Sequence, residues 1–278
     1  LNVSAQAKEQ LAEYRNIAIF GVDSRDDSYG KGNRSDCIII ASINNKTKEV
    51  KLISVYRDTY VQIEGHGLDK ITHAYSYGEA PLAIKTLNTN LDLNIKEFVT
   101  VNFETVKDVV DYIGGISMPI TSEEISHIPG IKKAGTQTLN GEQALAYARI
   151  RYATGGDYKR TERMRDVLTA VANKLKTLNI SQLNGFVDEI LPKVYTNITA
   201  SDIFTLIPSA MSYKITDSIG WPYETRGKTM DRWYGIPITL ESNVTELHKA
   251  AFGEPNYVPS DTVKEISNKI IQKTGYSK

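Results

Sequence analysis

One cysteine, four histidines and no uninterrupted apolar run longer than five residues mark this chain of 278 by what it lacks. Cys37 has no intramolecular partner for a disulfide, and no cysteine cluster exists to hold zinc. It sits in the run Cys37–Ala41, which fits a small buried hydrophobe better than a nucleophile. His66, His73, His127 and His248 lie far apart without HExxH spacing, so any metal should be held by oxygen. A membrane-spanning helix needs about 18–20 apolar residues, far more than any run here. The chain starts at Leu1 without Met, which suggests that a signal or anchor has been removed upstream. Charge of one sign is also missing. With 33 Lys+Arg against 33 Asp+Glu, the footprint of a generic nucleic-acid binder is absent.

What is present is an ordinary globular composition, 41% hydrophobic and 24% charged, with neither repeats nor low-complexity stretches. Residues 16–22, 36–44 and 49–55 read as strands, the last two joined by the Asn44–Thr47 turn. Further on come a helix near 81–91, a strand at 97–103, a helix at 105–113 and a strand at 116–120. Asn140, with Gln143 three residues on, caps one helix; Asp157 caps another after Gly155-Gly156. The later chain suggests helices around 201–212, 244–252 and 262–273, with strands near 214–219 and 235–239. Strands and helices mixed without strict alternation predict an α/β fold, a largely antiparallel mixed sheet between helices in an α-β-α sandwich. No composition shift marks a linker, so residues 1–278 read as one domain.

If the first three strands are antiparallel neighbours, one rim collects Asp23, Arg25, Arg34, Asp36, Arg57 and Asp58. Surface ion pairing is the common fate of such residues. Arginine usage points elsewhere. Eleven arginines stand against 22 lysines, yet residues 149–165 hold five arginines and only Lys159. A solvated face accepts lysine equally well, whereas bidentate phosphate recognition favours guanidinium. On the 157–178 helix, Met164, Val167, Leu168, Val171, Leu175 and Leu178 form an apolar stripe, and Arg160 extends it one turn earlier. Arg149 and Arg151 would diverge on a helix but share a face in extended chain. For both to bind one ligand, the helix begun at Asn140 must end near Ala148. Such arginines, with acids able to hold Mg²⁺, are equipment for phosphoryl transfer.

These residues also carry a resemblance. Gly21-Val22-Asp23-Ser24-Arg25, Arg34-Ser35-Asp36, Tyr56-Arg57-Asp58-Thr59, Asp69-Lys70-Ile71, Ala146 to Arg151 and Gly156 to Arg163 occur in order within 16–180. The set resembles the LytR–CpsA–Psr family of cell-wall glycopolymer ligases. The resemblance implies a membrane-anchored enzyme on the extracytoplasmic face of a Gram-positive cell membrane. Such an enzyme moves an anionic glycopolymer, teichoic acid or capsule, from a polyprenyl-diphosphate carrier to peptidoglycan. It also implies Mg²⁺, or alternatively Mn²⁺, at Asp23 and Asp36. Arg25, Arg34, Arg57, Arg149, Arg151, Arg160 and Arg163 match its diphosphate cage, and Asp23, Asp36, Arg34 and Arg57 its catalytic set. Lys70 lies in a recurring motif. Met164 departs from the glutamine common at that position. Beyond about residue 200 no motif is recognised.

For the lipid, an apolar groove along Met164, Leu168 and Val171, opening at Arg160, is expected beside the sheet. Tyr75 and Tyr77, near the rim, are candidates for stacking on glycan. Two other functions are compatible with these residues. One is a pyrophosphatase acting on prenyl or nucleotide diphosphates, and the other a non-catalytic module binding polyprenyl phosphate or cell wall.

Overall fold

A computed structural model describes residues 3–24, 29–151 and 156–278, the side chain of Asp157 excepted. A short helix α1 (Ala5–Gln10) precedes three strands, β1 (Tyr14–Val22), β2 (Ser35–Asn44) and β3 (Glu49–Val55). The small hairpin β4 (Tyr60–Ile63) and β5 (Gly67–Lys70) leads into α2 (Thr72–Leu91). Then come β6 (Glu97–Asn102), α3 (Phe103–Tyr112), the hairpin β7 (Ile116–Ile120) and β8 (Gly135–Leu139), α4 (Gly141–Ala148) and α5 (Gly156–Leu175). The remainder is α6 (Ile180–Ile190), β9 (Tyr195–Thr196), α7 (Ala200–Leu206), β10 (Lys214–Trp221), the hairpin β11 (Thr225–Thr229) and β12 (Trp233–Pro237), α8 (Leu240–Phe252) and α9 (Asp261–Thr274).

The central sheet runs β10-β3-β2-β1-β6-β9. β2 is antiparallel to both β1 and β3, β9 is antiparallel to β6, and β6 and β10 are parallel to β1 and β3. Strand periodicity of two sorts the side chains between two faces. Phe20, Ile38, Ile40 and Ile53 enter the main core with Ala83, Ile84 and Leu87 of α2 and Leu247 and Ile266 of α8 and α9. Ile19, Ile39 and Leu52 face the other way, where Met164 and Leu168 of α5 cover them. The mixed sheet between two helical layers matches the expected architecture. A further core joins β7, β8 and α4 to the flank of α5 through Ile116, Leu139, Tyr147 and Val167.

Three local features differ from the sequence reading. The helix expected from Pro81 begins at Thr72; Gly78 and Glu79 leave helical geometry, Glu79 at φ 57°, and the helix restarts ahead of Pro81. Proline suits a first helical turn, which is why its position marks only the second part. The strand expected at 235–239 is β12, paired with β11 outside the central sheet. Helix α6 was not expected, although Asn179 and Gln182 form a capping box and Leu183, Val187 and Ile190 recur at helical spacing on its buried side. The cap expected at Asp157 concerns a side chain outside the described residues. Among those described, no helix is long and apolar enough to cross a membrane.

Candidate active site

Strand direction assembles the site. Parallel pairing sets Val22 opposite Asn102, so the chain leaving β1 at Asp23 and the start of α3 at Phe103 reach one rim. Antiparallel β2 begins there, and β3 returns to it at Tyr56 and Arg57. The carboxyl ends of parallel strands are where open α/β sheets place ligand sites. One irregularity aims a key side chain. Gly21 pairs with Cys37 but Val22 with Ser35, leaving Asp36 as the extra residue of a bulge. In regular strand Asp36 and Cys37 would face opposite sides; here both line one cavity. Gly21 permits the close approach, because a Cβ there would lie 2.9 Å from that of Cys37.

That cavity, about 740 Å³, is lined by Asp23, Asp36, Arg149, Arg151, Arg160 and Met164, with Phe103 and Glu104 from α3. α4 does end at Ala148, and its capping box is the expected Asn140–Gln143 pair. Arg149 retains helix-like dihedrals (φ −91°, ψ −2°) and is not extended, yet Arg149 and Arg151 reach the same cavity around buried Ile150. The Arg149 guanidinium lies 4.0 Å from the Phe103 ring centroid, a cation–π contact that orients it. Phe103 was missed from sequence, since a single aromatic at a helix start carries no signal of its own. Burial pushes the Cys37 thiol up to about 12, so it lines the cavity as a neutral group.

The remaining arginines divide. Arg34 lines an adjoining recess together with Asp23, Asp36 and Ser76. Arg57 pairs with Asp36 at 3.0 Å and borders a second groove shared with Arg160. Arg25 lies outside the described residues. Arg163 departs from the expected cage. Its Nε donates to Glu124 at 2.9 Å and its Nη1 to the Ile150 carbonyl at 3.3 Å, with both charged side chains nearly fully buried. It holds the segment between Arg149 and Arg151 from beneath. Glu124 was also missed, because it sits in an irregular segment with no local pattern. Arg165 is buried too and donates to Ser218 at 2.6 Å, away from the cavity lining. Lys70 pairs with Asp58 at 2.8 Å.

Of the expected lipid-groove residues, Leu168 lines an apolar cavity of about 600 Å³ between the sheet and helices α5, α6 and α7. Met164 lines the arginine cavity one turn earlier. Val171 lines neither and packs in the β7–β8–α4 core. The reason is helical angle: 164, 168 and 172 follow one ridge at four-residue spacing, whereas 167 and 171 follow the next. Ala172 continues the lining along the first ridge, and Leu175, on the 167–171 ridge, joins it only in the last turn of α5. Tyr75 is fully buried, donating to the Tyr29 carbonyl and hydrogen-bonded to the Thr100 hydroxyl, so it is core. Tyr77 is partly exposed, donates to Asp69 at 2.8 Å and stacks on His66.

The donor set suits a hard cation. The carboxylates of Asp36 and Asp23 line one cavity, although Asp36 Oδ1 is buried against the Arg57 guanidinium at 3.0 Å and would have to share its charge between Arg57 and a metal. Among the described residues no cluster of three or more metal-ligating side chains occurs, so ligand or water oxygens would complete a shell. The arrangement as a whole accommodates an amphiphile with a polyanionic head. It defines an α/β protein with a guanidinium–carboxylate cavity opening beside an apolar one.

The chain belongs to the LytR_cpsA_psr family, whose model matches residues 2–238. It is 35% identical over 226 residues to the polyisoprenyl-teichoic acid–peptidoglycan teichoic acid transferase TagT of Bacillus subtilis, across 76% of this chain and 69% of that protein. TagU of Bacillus licheniformis, named for the same activity, is 38% identical over 196 residues, 68% of this chain. The match spans 62% of that relative, less than two thirds of its length. A solved structure of the family protein YwtF (TagT) with bound octaprenyl pyrophosphate lipid is 26% identical, with a TM-score of 0.64, covering 96% of this chain and 92% of that one.

Proposed function

We propose that this chain transfers an anionic glycopolymer from a polyprenyl-diphosphate carrier to peptidoglycan, at the extracytoplasmic face of the cell membrane of a Gram-positive bacterium. The observation that carries the proposal is the junction on α5, where the arginine cavity at Arg160 and Met164 passes within a turn to the apolar cavity at Leu168. A lipid diphosphate has that order of chemistry. The relatives named as teichoic acid transferases, and the family structure holding octaprenyl pyrophosphate, support the same donor class.

In this reading Arg149, Arg151 and Arg160 bind the diphosphate, whose charge-assisted contacts are each worth about 1.5–3 kcal/mol. Arg34 and Arg57 approach from the strand side. Asp23 and Asp36 would hold Mg²⁺, which supplies charge neutralisation at the phosphates when bound. An acceptor sugar hydroxyl attacks the phosphorus that bears the glycan. The new O–P bond forms as the bridging P–O bond breaks, polyprenyl phosphate departs, and the hydroxyl proton passes to whichever rim carboxylate, Asp23 or Asp36, is not fully engaged with the metal. The arginines neutralise charge that grows on the departing phosphate.

The test is release of polyprenyl phosphate from a prenyl-diphosphate glycan, with and without a soluble peptidoglycan acceptor and Mg²⁺. Release that needs both, and is lost in Asp36→Ala, supports the transferase. Equal release without acceptor identifies a pyrophosphatase, and donor binding without any release a binding module.

A further inference from the structure

Beyond Arg160 lies a second groove, which shares Arg57 and Arg160 with the diphosphate site and extends past it. It is lined by two exposed aromatic residues, Tyr158 at 49% and Trp233 at 47% accessible, together with Arg57, Asp58 and Arg160. Both rings are braced. Tyr56 meets Tyr158 edge to face, with centroids 4.6 Å apart at 86°. Trp233 lies across Gly227 of the β11–β12 hairpin, where a Cβ would fall 2.8 Å from its Nε1. The hairpin is itself fixed to the site, since the Gly235 amide donates to the Asp58 carbonyl at 2.9 Å and Gly235 bridges Thr59. Two braced, exposed aromatics that border one groove with Arg57, Asp58 and Arg160 need an explanation other than packing.

Position along α5 supplies one. Tyr158 borders the aromatic groove, Arg160 both groove and cavity, Met164 the arginine cavity, and Leu168 the apolar cavity. At 1.5 Å rise per residue, Tyr158 and Leu168 are separated by about 15 Å along the axis. The groove and the apolar cavity therefore lie on opposite sides of the phosphate-binding arginines. In-line phosphoryl transfer puts the attacking and leaving oxygens on opposite sides of the phosphorus. With the prenyl phosphate leaving toward the apolar cavity, the attacking hydroxyl enters from the groove.

Resting on the transferase reading, we propose that this groove is the acceptor subsite and that Trp233 and Tyr158 hold a pyranose ring of the acceptor glycan. The C–H face of the sugar stacks on an aromatic ring, and its hydroxyls turn to Arg57, Arg160 and Asp58. Trp233 is a binding residue for the acceptor, placed by Gly227.

Tryptophan emission reads this directly, because the chain's other tryptophan, Trp221, is fully buried and donates to the Asn243 carbonyl. Titration with a tetrasaccharide of alternating N-acetylglucosamine and N-acetylmuramic acid should change Trp233 emission saturably. The change should vanish in Trp233→Phe. In transfer assays Trp233→Ala should raise acceptor KM about tenfold, with a smaller effect on donor KM, and Trp233→Tyr should recover most of the loss. Gly227→Ala, which displaces the indole, should act in the same direction as Trp233→Ala. An active Trp233→Ala protein with wild-type acceptor KM overturns the subsite, as does emission that follows the prenyl-linked donor in place of the tetrasaccharide, or a flat titration. Saturable tetrasaccharide binding at Trp233 in a protein without transferase turnover would instead refute the transferase reading and leave the glycan site standing.

Discussion

Arg163 and Glu124 form an ion pair of 2.9 Å from which solvent is almost excluded, their side chains being 3% and 6% accessible. Thr121 also donates its backbone amide to Glu124 at 3.0 Å, so the carboxylate is held from two sides. Breaking a buried pair by removing one partner typically costs about 3–5 kcal/mol, because the other charge is left uncompensated. Arg163→Met should therefore lower stability by about that amount in urea melts. A double change, Arg163→Met with Glu124→Leu, should recover much of it. Since Arg163 also supports the Ile150 carbonyl, the single variant should weaken donor binding as well.

The same pair fixes a pH dependence. Burial raises the Glu124 pKa, but the Thr121 amide and the Arg163 guanidinium outweigh it and hold the carboxyl below its ordinary value. A depressed folded-state pKa contributes stability that is complete above the unfolded value, about 4.3, and is lost as pH falls through the folded one. The stability gap between wild type and Glu124→Gln should accordingly be widest near neutrality and narrow below pH about 4. Melts at several pH values check this; a gap that widens on acidification would contradict it.

Arg149 combines a cavity position with the face of Phe103. Lysine keeps the charge but loses the planar fork and the stacked geometry. Arg149→Lys should weaken binding of a prenyl diphosphate about tenfold or more, and Arg151→Lys should also weaken it through the lost fork. Equilibrium binding of a short-chain prenyl diphosphate reads both, and unchanged affinity would exclude bidentate recognition by this pair.

Leu168 and Val171 are three residues apart on α5 but border different compartments. Leu168→Gln should reduce affinity progressively more for longer prenyl chains, since each buried methylene contributes about 0.8 kcal/mol. Val171→Ala should cost stability, typically about 1 kcal/mol for a partly buried truncation, without altering the dependence on chain length. Affinities for a series of prenyl diphosphates separate the two effects.

Much of this architecture could be read from the chain itself. Alternating side chains define β1, β2 and β3, and the Asn140–Gln143 capping box locates α4 and therefore the turn that carries Arg149 and Arg151. Arginine enrichment between 149 and 165 led to the cavity, though Arg163 is an instructive exception. Its one-turn spacing from Val167 was visible, while its partner Glu124, 39 residues earlier, was not. The Asp36 bulge was illegible for a related reason, since one unpaired residue arises from the register of two strands and from neither alone. Trp233 stands in a short hairpin without buried periodicity, so its place beside Arg57 emerges only once Gly235 docks on Asp58.

The transfer itself is tested most directly by the fate of one phosphorus atom. A donor carrying a radioactive label at the phosphate attached to the glycan is incubated with the protein, peptidoglycan and Mg²⁺. The proposal predicts that the label enters the peptidoglycan with the glycan, joined through a phosphodiester, and that Asp23→Ala and Asp36→Ala abolish its incorporation. Label retained on the prenyl carrier when glycan is transferred, or released only as soluble glycan phosphate in the presence of acceptor, would contradict it.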